Sequence, residues 1–143
     1  AASPWLRAEQ WRGLINAQAV GKVRNIGVSN YDAQMIQGLI ADTGVAPAVN
    51  QIAFQPGNTR SMALAHWCLE HDIAVTGYAS IRDKAKSAAA LQVAHAHGAT
   101  PAQVLLRWAL DQGAAVIPGA TSEEHIKDNL STGDFRLSED EAR

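Results

Sequence analysis

Ser29 and Asn30 stand just before the last residue of the run Gly21-Lys22-Val23-Arg24-Asn25-Ile26-Gly27-Val28-Ser29-Asn30-Tyr31. An amphipathic helix leads into this run, a glycine ends the helix, and a short apolar strand stops on two small polar side chains. Those side chains would stand at the carboxyl end of a strand, where parallel α/β folds place ligand contacts. The pattern returns at Val49-Asn50-Gln51-Ile52, Val75-Thr76-Gly77-Tyr78 and Val116-Ile117-Pro118-Gly119. No acid–base set can be assembled from these residues, so no catalytic residue is assigned; taken by themselves they also read as polar residues closing turns. His66, His71, His95 and His97 fall in predicted helices and read as solvent-facing or helix-end side chains. His95 and His97 are two apart and so do not share a helix face for a metal. Cys68 stands alone, which rules out an internal disulfide and reads as a core thiol. No metal site is expected.

The elements that must present these residues follow from periodicity and capping. Residues 4–20 read as a helix with Pro4 in its first turn and Trp5, Ala8, Trp11, Ile15 and Ala19 on one face, closed by Gly21. A strand is predicted at 23–28, a helix over 32–42 with Met35, Ile36, Leu39 and Ile40 as its apolar stripe, and a strand at 48–53. A helix over 60–71 carries Met62, Leu64, Ala65, Trp67, Cys68 and Leu69, and a strand follows at 73–78. The helix predicted over 85–97 ends at Gly98. Thr100-Pro101-Ala102-Gln103 is a capping box with proline at the first helical position; it starts a helix to about 112 with Val104, Leu105, Trp108 and Ala109 inward. A fourth strand at 114–118 and a helix capped by Ser122 and running through Leu130 complete the series. Strands alternating with helices imply a parallel sheet with right-handed crossovers.

Composition sets the outer bounds. The chain has 143 residues, enough for one domain, with 47% hydrophobic and 18% charged residues, as in ordinary globular proteins. A net charge of −2 gives no electrostatic argument for nucleic acid or an anionic membrane. No apolar run approaches the roughly 18 residues of a membrane helix, and no charged-then-apolar leader opens the chain. With its single cysteine, the chain is expected to be cytoplasmic. It starts at Ala1 rather than at a methionine and stops at Arg143, directly after Ser138-Glu139-Asp140-Glu141 has set up a capping box. Residues 1–143 are therefore expected to be a segment truncated at both ends.

Four strands could form a small doubly wound sheet, yet no strand is followed by G-x-G-x-x-G or by a phosphate loop. A complete (β/α)8 barrel typically needs about 250 residues. The order and spacing of several motifs decide the matter. Gly21-Lys22-Val23-Arg24 through Gly27-Val28-Ser29-Asn30-Tyr31, then Val49-Asn50-Gln51, Thr100 through Trp108, Ile117-Pro118 and Ile126-Lys127-Asp128-Asn129-Leu130 resemble the second half of an aldo-keto reductase barrel. The resemblance runs from about Trp11 to Glu141. It implies an α/β chain of the (β/α)8 TIM-barrel family supplying about four strand–helix units, a half barrel. It also implies NAD or NADP as cofactor, and reduction of aldehydes or ketones by hydride transfer in the intact enzyme.

Carried over residue by residue, Ser29, Asn30 and Gln51 match the groups that hydrogen-bond the nicotinamide carboxamide. The chemistry suits them, since an amide presents one acceptor and two donors. Tyr78 matches the aromatic that stacks on the nicotinamide ring, which leaves the other ring face for substrate. Asp128 and Asn129 match the acid and amide associated with the adenine. Where many members carry Lys-Ser and an Arg five residues later, suited to a 2′-phosphate, this chain has Gly119, Ala120 and His125. The acid and histidine that many members carry just after the second strand's Asn-Gln appear as Ala53 and Gln55. The usual Ser-Pro after the tyrosine appears as Ala79-Ser80, a loss expected to remove one phosphate contact.

The resemblance places the catalytic Asp, Tyr, Lys and His of the family on its first four strands, outside this sequence. The chain alone is thus expected to be inactive, carrying nicotinamide-nucleotide contacts and no catalytic set. A small carbonyl substrate belongs to the intact enzyme, and the half barrel is expected to self-associate through its open edges. The competing reading is a non-catalytic binding or regulatory subunit derived from a barrel.

Overall fold

The computed structural model describes residues 3–142. Ala1, Ala2 and Arg143, and with them the expectation drawn from the first and last residues, lie outside the described residues. The order of elements is α1 (Pro4–Ala19), β1 (Gly27–Ser29), α2 (Ala33–Thr43), β2 (Val49–Ala53), α3 (Thr59–Glu70), β3 (Ala74–Tyr78), α4 (Ala88–His97), α5 (Pro101–Asp111), β4 (Ala115–Val116) and α6 (Glu123–Leu130). A 3-10 turn follows at Ser131–Gly133. The strands form one parallel sheet in the order β1-β2-β3-β4, with Ser29 opposite Gln51 and Ala53 opposite Tyr78. Sequential order with helical crossovers is what a barrel wall requires.

Alternation along the strands separates two faces. Asn50, Ile52 and Val75 are buried against α3 and α5, in a core with Ile36, Phe54, Ala65, Cys68, Ile73, Trp108, Ala109 and Ala114. Gln51 and Tyr78 occupy the opposite, half-buried positions of β2 and β3. A second core joins Trp11, Ile26 and Leu39, and the Trp11 indole N–H donates to the Val45 carbonyl at 3.0 Å. Cys68 is a buried free thiol whose pKa is pushed up by burial. Among the described residues no helix is long and apolar enough to cross a membrane.

Caps set the helix starts. Thr100 accepts from the Gln103 N–H at 3.2 Å and Gln103 Oε1 accepts from the Thr100 N–H at 2.8 Å, the reciprocal pair that the sequence implies. Asp32, Asn58, Ser87 and Ser122 cap α2, α3, α4 and α6.

Several elements differ from expectation. β1 begins at Gly27 rather than at 23, because Val23, Arg24 and Asn25 are exposed and the ladder starts only where Val49 is opposite. β4 is reduced to Ala115–Val116, although the Ile117 N–H still donates to the Gly77 carbonyl at 3.4 Å. α4 starts at Ala88 rather than 85, after a looped segment in which Ala79 and Asp83 take positive φ. Trp5 is 71% exposed instead of joining Ala8 and Trp11 in the core. His97 is not a bare helix-end side chain: its Nε2 lies 3.0 Å from Glu141 Oε1 and its ring stands 5.1 Å from Phe135. The box at Ser138 forms, with Glu141 accepting from the Ser138 N–H at 2.9 Å and its hydroxyl at 2.8 Å. It shapes a turn among the described residues rather than a helix.

Candidate functional site

The carboxyl ends of the strands bring four of the expected residues into one hydrogen-bonded cluster. Ser29 Oγ donates to the Gln51 carbonyl at 3.0 Å, and the Asn30 N–H donates to the same carbonyl at 2.9 Å. Asn30 Nδ2 donates to Ser29 Oγ at 3.3 Å, and the Tyr78 hydroxyl donates to Asn30 Oδ1 at 3.0 Å. Asn30 sits at φ 58, a left-handed conformation that asparagine tolerates better than most residues. That turn swings its carboxamide across the strand end toward Tyr78. The bond to Asn30 fixes the far end of the tyrosine, so the ring has a set position.

The cluster keeps hydrogen-bonding capacity in reserve. The Gln51 side-chain amide makes no hydrogen bond among the described residues, which leaves one acceptor and two donors. Asn30 retains a second amide hydrogen. The set therefore keeps a carbonyl acceptor and amide donors at the strand ends.

Two further residues lie in the quoted motifs without a role of their own assigned there. Asn50 is completely buried, and its Nδ2 donates to the Tyr31 carbonyl at 2.8 Å, pinning the backbone directly after Asn30. Its Oδ1 has no partner. A polar residue between Val49 and Ile52 was the available signal. Ser80 is the second. The serine expected at 79 is absent, yet the neighbouring Ser80 brings a buried hydroxyl, without a partner, into the same turn. A serine hydroxyl thus stays in this loop, one position later.

The remaining expected residues lie on the β4–α6 side. Gly119 lines a small cleft with Gly77, Ser80 and Arg82. Gly119 and Ala120 are exposed, and so is His125, whose N–H donates to Ser122 Oγ at 3.2 Å in the α6 cap. Asp128 Oδ2 accepts from Thr100 Oγ1 at 3.0 Å, which commits one carboxylate oxygen to the start of α5. Asn129 is half-buried beside it. Among the described residues no hydrogen bond joins this group to the Ser29–Asn30–Gln51–Tyr78 cluster.

A four-stranded parallel sheet flanked by helices, with polar side chains gathered at the strand ends, defines part of a (β/α)8 barrel. An aldo/keto reductase from Brucella melitensis superposes with a TM-score of 0.91 at 31% identity, over 99% of this chain and 55% of that one. The aldo/keto reductase family profile matches residues 2–85 and 82–143, and the chain belongs to that family. Methylglyoxal reductase DkgA of Escherichia coli K12 is 36% identical over 137 residues, covering 93% of this chain and 50% of that protein. The chain spans about half the length of the curated relatives that it matches along most of its own length. A mutant of Gox0644 in complex with NADPH matches with a TM-score of 0.87 at 31% identity, over 94% of this chain and 50% of that chain.

Proposed function

We propose that residues 1–143 supply the nicotinamide-nucleotide contacts of an NAD(P)H-dependent aldo-keto reductase acting on aldehydes or ketones, as the C-terminal half of its barrel. The observation that carries this reading is the cluster of Ser29, Asn30, Gln51 and Tyr78 at the strand ends, with the Gln51 amide unpartnered. When bound, the nicotinamide supplies a hydride to a carbonyl carbon. Ser29, Asn30 and Gln51 hold the carboxamide and so fix the rotation of the ring. Tyr78 covers one ring face and leaves the other for substrate. Asp128, through its free oxygen, and Asn129 meet the adenine end, while Gly119, Ala120 and His125 border the ribose phosphate. The NADPH complex of the Gox0644 mutant and the reductase names of the relatives support the reading.

The test is equilibrium binding of NADPH and NADH to the 143-residue chain, followed by nucleotide fluorescence. Gln51→Ala and Tyr78→Ala are expected to weaken both nucleotides by about tenfold or more, as loss of a charge-free hydrogen-bond set or a stacking face does. Binding that survives both substitutions unchanged would place the nucleotide elsewhere. The chain alone is expected to oxidise neither nucleotide in the presence of a reactive aldehyde, for want of a proton donor. Turnover that persists through purification would refute that expectation.

A further inference from the structure

Two successive residues of β2, on opposite faces of the sheet, hold the turn at the end of β1. The Gln51 carbonyl accepts from the Asn30 N–H at 2.9 Å and from Ser29 Oγ at 3.0 Å, and its side chain lies on the half-buried face. Asn50 lies on the other face, completely buried, and its Nδ2 donates to the Tyr31 carbonyl at 2.8 Å. Asn30, with φ 58, is thus held at its own N–H and at the carbonyl of the residue after it.

Core packing does not call for an amide at position 50. Its ladder partners are Val28 and Val75, and the other contact of Nδ2 is Cys68 Sγ at 3.8 Å. Asn50 Oδ1 is buried with no partner. A leucine of similar size would fill the place without stranding an acceptor. What an apolar residue could not supply is the bond to Tyr31. Only the amide nitrogen can face a carbonyl oxygen, so that bond fixes which way the side chain points.

We propose that Asn50 is a positioning residue: through the Tyr31 carbonyl it keeps Asn30 in its left-handed turn, and so keeps the Asn30 carboxamide against Ser29 and the Tyr78 hydroxyl. Left-handed backbone is disfavoured for a residue with a Cβ, and asparagine tolerates it only in part. Without the bond to Tyr31, Asn30 relaxes toward negative φ and its Oδ1 leaves the Tyr78 hydroxyl, now 3.0 Å away. Two groups assigned to the nicotinamide then lose their setting together. The effect stays at that end of the site, because among the described residues no hydrogen bond joins the cluster to the β4–α6 side. The inference rests on the nucleotide reading of the strand ends and deepens it, since Asn50 acts through Asn30 and not by contact with a ligand.

The experiment compares wild type with Asn50→Leu, which removes both the donor and the stranded acceptor, and Asn50→Asp, which keeps the shape and loses the donor. Asn50→Leu is expected to melt close to wild type, since one bond and one stranded acceptor disappear together. Amide hydrogen exchange, read by NMR without ligand, is expected to quicken about fivefold or more at the Asn30 N–H. The Phe54 N–H, bonded to the Tyr78 carbonyl at 3.1 Å, should exchange as in wild type. In titrations NADPH is expected to bind about fivefold more weakly, the size of one net hydrogen bond. Adenosine 2′,5′-bisphosphate, which lacks the nicotinamide, should bind as before. Unchanged exchange at Asn30 in a folded variant, or NADPH binding equal to wild type, overturns the proposal; weakened NADPH binding in Gln51→Ala would then still uphold the strand-end reading. Equal weakening of both ligands, or loss of the fold in both variants, makes Asn50 a residue of the fold alone and overturns the proposal too. If wild type binds no NADPH, the nucleotide reading falls. Faster exchange at Asn30 in the variants then upholds the hold on the turn, and unchanged exchange overturns both.

Discussion

Gly27 stands where β1 meets β2, two residues before Ser29, and its replacement by alanine tests the geometry beneath the site. An alanine Cβ there would lie 2.7 Å from the Val49 carbonyl oxygen and closer still to Val49 Cγ1. The methyl can rotate away, but the carbonyl belongs to the ladder and cannot. Ordinary contact begins near 3.4 Å, so the strands must part by about 0.7 Å. The flanking bonds, Ala48 N–H to Ile26 O and Asn30 N–H to Gln51 O, are each 2.9 Å and would stretch to about 3.6 Å, outside hydrogen-bond range. Overpacking of this kind costs about 1–3 kcal/mol. At about 4 °C per kcal/mol for a chain of this size, melting should fall by roughly 4–12 °C. Gly38→Ala is the control. A Cβ at Gly38, inside α2, meets nothing, and alanine there should stabilise by about 0.8–1 kcal/mol. Circular dichroism melts of the two variants should therefore move in opposite directions. Gly27→Ala should also weaken NADPH binding, because it displaces Ser29 and Asn30. A Gly27→Ala melt equal to or above wild type would refute the β1–β2 register.

Thr100→Ala removes the α5 cap and the partner of Asp128, and should cost about 1 kcal/mol in denaturant unfolding. Glu141 is held down at about 2 by the Ser138 N–H, then the Ser138 hydroxyl and His97. Since the folded pKa is depressed, its contribution is complete above the unfolded value near 4.5 and is lost as pH falls through about 2. Glu141→Gln should flatten the pH dependence of melting within that window and not above it. β1 and β4 each have one neighbour, so both edges of the sheet are open. The 143-residue chain by itself should self-associate in light scattering, and a monodisperse monomer with a cooperative melt would contradict this.

The helices and the two central strands were legible from local chemistry. Thr100-Pro101-Ala102-Gln103 carries its own start signal, and the spacing of Val104, Leu105, Trp108 and Ala109 marks the buried face, because capping and 3.6-residue periodicity act within a few residues. β2 and β3 kept nearly their expected bounds, since each is flanked by a paired strand on both sides. The edge strands did not: how far β1 and β4 extend depends on which partner residues lie opposite. Trp5 has the right spacing for the α1 face and is still exposed, because burial needs a surface to pack against as well as a phase. The sequence by itself named the residues of the candidate site and put them at strand ends. Only the tertiary structure decided that Tyr78 bonds Asn30, 48 residues away, that Asn50 pins Tyr31, and that Ser80 is buried without a partner. Those contacts join segments that meet only through the parallel register and a left-handed turn at Asn30, and local propensity specifies neither.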